Sequence, residues 1–188
     1  MRLFVAYSGV SEWITVQQQA RNFNSTPDIR WTHSYNLHLT LYFIGEVPES
    51  ALPEIVSAIT QVTTKAHSFV LSPLGVVAAI HSASPSMIWL RYAESDEFTR
   101  LNVQLYEAIS RFIPSAPVVP VPLPHVTLAR MKAGKVKYAE VHLTESQAPL
   151  QIGEAVLCQT THDENGVRYR ELATFEFGKN QSASATTS

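Results

Sequence analysis

The sequence predicts an α+β chain built of antiparallel sheets with helices packed on their outer faces. Three observations predict it. Strand-forming runs outnumber helical ones and come in neighbouring pairs separated by turn residues, the pattern of antiparallel pairing. Three other segments repeat apolar residues at intervals of three and four, the pattern of amphipathic helices. The motif His-x-Thr-Leu also occurs twice, as His38-Leu39-Thr40-Leu41 and as His125-Val126-Thr127-Leu128, 87 residues apart and each time in a strand-like setting. The order along the chain is motif strand, helix and strand pair, then helix, linker, second motif strand and strand pair. This rough duplication predicts two similar lobes, each giving one histidine and one threonine to a shared groove.

Taken in order, Arg2 to Ser8 reads as a strand closed by Gly9. Ser11 caps a helix whose apolar stripe is Trp13, Val16, Ala20 and Phe23. Ile29 to Thr32 is a short strand leading into the first motif strand, which Gly45 stops. Leu52, Ile55, Val56, Ile59 and Val62 mark the second helix, with Pro53 in its first turn, where a missing N–H costs least. Phe69 to Ala79 and Met87 to Tyr92 form an antiparallel pair around the loop His81 to Ser86. Ser95, followed by Asp96 and Glu97, opens the third helix, with Phe98, Leu101, Leu105, Ile109 and Phe112 on its buried face. Pro114, Pro117, Pro120, Pro122 and Pro124 then exclude both helix and central strand, leaving an extended linker to His125. Gln151 to Thr161 and Val167 to Phe177 form a last pair, joined at Asn165-Gly166, a strong hairpin-turn signal. One domain of two lobes is expected over residues 1–178, followed by a disordered tail of small polar residues over 179–188.

Composition narrows the function. With 188 residues and 45% hydrophobic content, the chain is long and apolar enough for a real core, which excludes a disordered protein. No apolar run approaches a membrane span and the first residues do not form a signal peptide, so a cytoplasmic protein is expected. The single cysteine, Cys158, lies in an apolar run and reads as a buried, inert thiol, with no intramolecular disulfide and no cysteine metal site. A net charge of −2 argues against a protein that coats long nucleic acids, because such binders neutralise many phosphates. Arg130, Lys132, Lys135 and Lys137 nevertheless follow the second motif with no acidic residue among them. That local positive field suits a ligand with a few phosphates.

Residues alternate between the two faces of a strand, so each histidine shares a face with its threonine while Leu39, Leu41, Val126 and Leu128 point into a core. Two facing imidazoles suit general acid–base catalysis, because one takes a proton near neutral pH while the other gives one. In-line cleavage of a phosphodiester needs that pair: a nucleophilic oxygen loses a proton on one side of phosphorus as the leaving oxygen gains one on the other. The threonine hydroxyls beside them are placed to hold the non-bridging oxygens. By parity Tyr42 also shares the face of His38 and Thr40, where its ring would floor the groove and meet a ribose or base. Strict alternation from Thr127 sends Arg130 to the opposite face, unless a bulge near Ala129 intervenes. His33 is nearest the first motif. His67, His81, His142 and His162 fall at helix ends, loops or a turn without metal-site spacing, so no metal is expected.

The stretches Asn36-Leu37-His38-Leu39-Thr40-Leu41-Tyr42-Phe43-Ile44-Gly45-Glu46-Val47 and Pro124-His125-Val126-Thr127-Leu128-Ala129-Arg130 resemble the paired motifs of the two-histidine phosphoesterase superfamily. Within it the chain is most similar to the bacterial and archaeal RNA 2′,3′-cyclic phosphodiesterases, historically called 2′-5′ RNA ligases. Arg2 to Ala6, Ile29-Arg30-Trp31 and Ile88-Trp89-Leu90 fit the same pattern. The resemblance implies a bilobal fold of two antiparallel sheets flanking a cleft, and hydrolysis of a ribose 2′,3′-cyclic phosphate to a 2′-phosphomonoester. It implies that His38 donates a proton to the leaving 3′ oxygen, that His125 accepts one from water, and that Thr40, Thr127 and Arg130 bind phosphate. The implied partner is RNA with a 2′,3′-cyclic phosphate end, or a cyclic nucleotide, acted on by a monomer with no cofactor, metal or membrane. Family members often carry Pro-Pro-Glu before Asn-Leu-His; here Thr32-His33-Ser34-Tyr35 stands at the expected cleft rim, a position suited to substrate preference. Two other readings remain open: reversible 2′-5′ ligation at the same groove, and a non-catalytic module that binds RNA termini or nucleotides.

Overall fold

The computed structural model describes residues 1–24, 27–81, 84–118, 121–131, 148–164 and 166–179. Lys132, Lys135 and Lys137 lie outside these residues, as does the expected tail beyond Lys179. The elements in chain order are β1 (Arg2–Ser8), α1 (Glu12–Phe23), β2 (Ile29–Trp31), a 3-10 turn (Ser34–Asn36), β3 (His38–Glu46), a second such turn (Glu49–Ala51), α2 (Leu52–Thr63), β4 (Phe69–Leu71), β5 (Pro73–His81), β6 (Ser84–Tyr92), α3 (Asp96–Ile109), β7 (His125–Met131), β8 (Leu150–Ile152), β9 (Glu154–Asp163) and β10 (Gly166–Glu176).

The α+β class with antiparallel strands is what the structure has. Seven strands run in the order β10-β9-β1-β3-β7-β6-β5, with β2 on the β3 side of β7 beyond the end of β3, and β4 pairs with β8 in a separate two-stranded sheet. Strands β10-β9-β1-β3 carry the first motif and β7-β6-β5 carry the second. They meet at one ladder pair, Leu39 with Val126. The expected strand over Phe69 to Ala79 is broken in two, because Ser72-Pro73 removes a ladder donor and lets β4 leave for β8 while β5 pairs with β6. Gly153 splits β8 from β9 in the same manner. At the β9–β10 hairpin, Gly166 takes φ 110°, the left-handed backbone that a tight turn needs from glycine.

Helix stripes follow the sequence pattern closely. Trp13, Val16 and Ala20 of α1 are buried, and so are Ile55 and Ile59 of α2 and Phe98, Leu101, Leu105 and Ile109 of α3. Phe23 and Phe112 depart from it. Both are largely exposed, Phe23 at the last residue of α1 and Phe112 past the end of α3, where the helical period no longer turns a side chain inward. The Ser95 hydroxyl accepts from the Phe98 N–H at 3.2 Å, the expected cap of α3. Ser11 makes no such cap bond; its hydroxyl donates to Glu12 instead. Cys158 is a buried free thiol, pushed up to about 12 by burial first and by the nearby Glu171 charge. Among the described residues no helix is long and apolar enough to cross a membrane.

Candidate active site

The two motif strands lie side by side. Because Leu39 pairs with Val126, one step either way along an antiparallel ladder sets His38 opposite Thr127 and Thr40 opposite His125. Leu39, Leu41, Val126 and Leu128 are buried, whereas the two histidines and two threonines are half-buried. The four polar side chains therefore share one face as a square, histidines on one diagonal and threonines on the other. Diagonal neighbours in such a ladder are about 7–8 Å apart.

Beyond the square, both strands bulge at the same point of the motif. Ala6 of β1 pairs with Thr40 but Val5 pairs with Tyr42, so Leu41 is an extra residue in β3. Trp89 of β6 pairs with Thr127 but Ile88 pairs with Ala129, so Leu128 is an extra residue in β7. An extra residue inverts the alternation that follows it. Arg130 is returned to the face of Thr127 by this device. Tyr42 is turned away from that face: it is 0% exposed and its hydroxyl donates to the Pro117 carbonyl at 3.0 Å. The expectation that Tyr42 floors the groove is thus corrected. Phe43 takes the place that parity gave to Tyr42, packed with Phe4, Ala6, Val156 and Cys158.

Each imidazole is tethered in the same way. His38 Nδ1 lies 2.8 Å from the carbonyl of Asn36, and His125 Nδ1 lies 2.7 Å from the carbonyl of Leu123, two residues back in both cases. A carbonyl only accepts, so Nδ1 carries the hydrogen in both charge states, and Nε2 is the nitrogen that gains and loses a proton. What holds the accepting carbonyl differs between the two. The buried Asn36 side chain spans to β10, donating to the Val167 carbonyl at 2.8 Å and accepting from the Tyr169 N–H at 3.2 Å. Leu123 is set instead between Pro122 and Pro124, whose rings fix the backbone.

Aromatic rings enclose both histidines. Phe4 and Tyr169 each lie 4.9 Å from the His38 ring, and Trp89 stacks on His125 at 3.9 Å and 26°. Burial pushes both imidazoles below their ordinary value of 6.5. For His38 the Asn36 hydrogen bond opposes that shift, while charges on His125 and Arg130 add to it. For His125 the Leu123 bond opposes it and Arg91 adds to it. Beside His38 a small open pocket is lined by Phe4, Ser8, Tyr35, Tyr169 and Glu171 among others. At its rim His33 stacks on Tyr35 at 5.1 Å, and the Arg168 guanidinium lies 5.0 Å from the centre of the same tyrosine ring.

Of the residues singled out in the sequence, His38, Thr40, His125, Thr127 and Arg130 thus come to one face and Tyr42 does not. Asn36, Leu123, Phe4, Trp89, Tyr169 and Arg91 were missed as neighbours of the histidines. Asn36 and Leu123 carried a faint signal, standing two residues before a motif histidine; the other four depend on strand pairing that no local pattern specifies. Among the described residues no three His, Cys, Asp or Glu side chains gather as a metal-binding group.

Comparison with known proteins fits this geometry. Residues 9–89 match the family described as LigT like Phosphoesterase. An RNA 2′,3′-cyclic phosphodiesterase of Archaeoglobus fulgidus is 29% identical over 183 residues, covering 94% of this chain and all of that protein. One of Thermotoga maritima is 30% identical over 139 residues, 70% of this chain and 71% of that protein. Among solved structures, a Thermus thermophilus protein superposes with a TM-score of 0.80 at 24% identity, over 96% of this chain and all of the other. Escherichia coli LigT, crystallised with 3′-AMP, gives a TM-score of 0.73 at 21% identity over 95% of this chain and 98% of its own. These two likenesses concern the fold alone.

Proposed function

The chain belongs to the LigT-like phosphoesterase family, and from that premise we propose that it hydrolyses ribose 2′,3′-cyclic phosphates at RNA ends or on nucleotides, leaving a 2′-phosphomonoester. The observation that carries this reading is the pair of imidazoles on one diagonal, each bound through Nδ1 so that Nε2 alone exchanges a proton. His125 takes a proton from water through Nε2 as the water oxygen attacks phosphorus. The bond from phosphorus to the 3′ oxygen breaks on the opposite side, and His38, protonated at Nε2, gives its proton to that oxygen. Water is consumed, and the two histidines end with their charges exchanged. Thr40 and Thr127, on the other diagonal, donate hydroxyl hydrogens to the non-bridging oxygens, where charge builds in the transition state. Arg130, brought to this face by the Leu128 bulge, adds a fixed positive charge.

Two features support the division of labour. Trp89 lies flat against His125, and an indole face favours the imidazolium that forms when a base accepts a proton. The open pocket beside His38 presents aromatic side chains on which a base can stack, and Escherichia coli LigT, which shares this fold, has been crystallised with 3′-AMP. No step draws on a metal or cofactor. The test is incubation with a nucleoside 2′,3′-cyclic phosphate in excess chelator, with the product isomer identified by phosphorus NMR. Formation of the 2′-phosphate at an undiminished rate is expected. A 3′-phosphate product, or loss of activity that zinc or magnesium restores, would overturn the reading.

A further inference from the structure

The ladder that places the histidines has a third rung. Strand β2 continues the β3 side of β7, and Arg30 pairs directly with Arg130, flanked by Ile29 with Met131 and Trp31 with Ala129. Directly paired residues of an antiparallel ladder share a face, and the Leu128 bulge has set Arg130 on the face of Thr127. Arg30 is on that face too. Burial agrees: both arginines are exposed, and Ile29 and Met131 beside them are buried on the other side. Going along the site, the rungs are Thr40 with His125, His38 with Thr127, and Arg30 with Arg130.

Like charges directly opposite one another destabilise a sheet. Nothing among the described residues relieves this pair, since neither guanidinium forms an ion pair there and the one polar contact of Arg130 is Met87 Sδ at 3.6 Å. Two adjacent guanidiniums with no ion pair among the described residues, each a planar fork of donors, match the oxygens of a phosphate. The opposite flank of His38 does not, because the pocket there is walled by Phe4 and Tyr169 and holds the Glu171 carboxylate, which accepts from the Ser8 hydroxyl at 3.0 Å.

Resting on the reading that a cyclic phosphate occupies the first two rungs, we infer that Arg30 and Arg130 form a second phosphate site, which takes the phosphate on the 5′ oxygen of the same nucleotide. Thr127 and Arg130 are one rung apart on the same face, about 7 Å by strand rise, and arginine side chains reach further. A substrate with that second phosphate, either the next phosphodiester of an RNA end or the 5′-phosphate of a mononucleotide, is then held at two points. A nucleoside cyclic phosphate is held at one.

The test compares wild type with Arg30→Gln on three substrates: a nucleoside 2′,3′-cyclic phosphate, its 5′-phosphorylated form, and a dinucleotide ending in a cyclic phosphate. Wild type is expected to favour one or both of the latter in KM. Arg30→Gln should cut that preference about tenfold, Arg30→Lys less, and rising salt should erode it in wild type. The larger loss among the two phosphorylated substrates identifies the source of the second phosphate. Calorimetry with a nucleoside 2′-monophosphate and the corresponding 2′,5′-bisphosphate reads the same preference without turnover. Removing one of two opposed charges should leave the melting temperature equal or higher, which checks the fold. An unchanged preference in the variant overturns the second site even if wild type hydrolyses all three substrates. If wild type hydrolyses none, the earlier reading fails and the binding ratio still decides this one.

Discussion

Gln17 of α1 and Asn102 of α3 make equivalent bonds in the two halves of the molecule: Gln17 Nε2 donates to the Leu128 carbonyl at 2.9 Å, and Asn102 Nδ2 donates to the Leu41 carbonyl at 2.7 Å. Leu128 and Leu41 are the bulged residues of the two motifs. A bulge leaves a residue outside the ladder, and a buried carbonyl there needs another donor. In each half a helix packed on the core side supplies a buried amide to that carbonyl, and the Leu128 carbonyl accepts from the Thr32 N–H at 2.9 Å as well. The bulges in turn decide which side chains face the cleft, so these two amides sit behind the site and hold its shape.

Replacing Asn102 by an apolar residue of similar size takes this donor from the buried Leu41 carbonyl, and replacing Gln17 takes one of two donors from the Leu128 carbonyl together with the side-chain donor of the Thr32 carbonyl. Asn102→Leu and Gln17→Leu should each lower stability by about 1–3 kcal/mol, read by denaturant midpoint. Gln17 also donates to the Thr32 carbonyl at 2.7 Å, and that carbonyl, rather than the one on Leu128, is what its variant orphans. A loss of activity in folded Gln17→Leu, concentrated in KM, is expected if Arg130 moves when the bulge relaxes. Stability equal to wild type in both variants would show that the bulges hold themselves.

The histidine pair is the next point of test. General acid and general base each contribute on the order of 10²–10⁴ in rate, so His38→Ala and His125→Ala should each slow cyclic phosphate turnover by about that factor, with little change in ligand affinity. Both groups act on one transition state, so the double variant should be little slower than the worse single variant. Rates that survive loss of either ring would remove the acid–base assignment.

Most of this was legible in the sequence for a simple reason. Alternation over His38 to Leu41 and His125 to Leu128 is a local property of strands, and it put the two histidines and two threonines on one face, where the structure has them. The helix stripes on α1, α2 and α3 were legible on the same ground. Tyr42 was misplaced because parity was carried through Leu41, where the strand bulges. A bulge is fixed by the register of the neighbouring strand and by Asn102, which is 61 residues away, and leaves no mark in the motif itself. The same ambiguity at Leu128 left Arg130 undecided. Arg30 was visible only as a residue before the first motif; that it opposes Arg130 is a fact of pairing across the sheet.

Tyr42 now serves as a control on the correction. With its ring in the core and its hydroxyl on Pro117, Tyr42→Phe should lower stability by about 1 kcal/mol through one lost hydrogen bond and leave KM for a cyclic nucleotide unchanged. A rise in KM in a stably folded variant would return Tyr42 to the groove.

Asn36 is expected to matter twice. Its side chain clasps β10 through Val167 and Tyr169, and its carbonyl fixes the His38 tautomer. Asn36→Ala keeps the carbonyl but frees it to move. The expected result is a stability loss of about 1–3 kcal/mol, a fall in kcat greater than any rise in KM, and a nitrogen NMR spectrum in which His38 no longer holds its hydrogen on Nδ1 alone. Leu123→Ala, with its backbone set by two prolines, should leave the His125 tautomer intact. Equal effects at the two positions would mean that the clasp has no part in orienting the ring.

The pH profile follows from the direction of the shifts. The base must be neutral and the acid protonated, so activity rises with pH as one group loses its proton and falls as the other does. Burial lowers both imidazoles from 6.5, so in the free enzyme the bell in kcat/KM should lie on the acid side of that value. A bound phosphate adds negative charge beside both rings and favours their protonated forms, so the bell in kcat should lie at higher pH than the bell in kcat/KM. Arg130 pushes His38 down, and its charge is lost in Arg130→Gln. The His38 titration in the free variant, followed by proton NMR, should therefore move to higher pH, while that of His125, on which Arg91 rather than Arg130 acts, should move less. Raised salt should shrink the His38 shift only slightly, because the ring is buried and poorly screened. A His38 titration that stays in place when Arg130 is removed would mean that the arginine points away from the histidines, and both the phosphate contact and the second site built on it would fall.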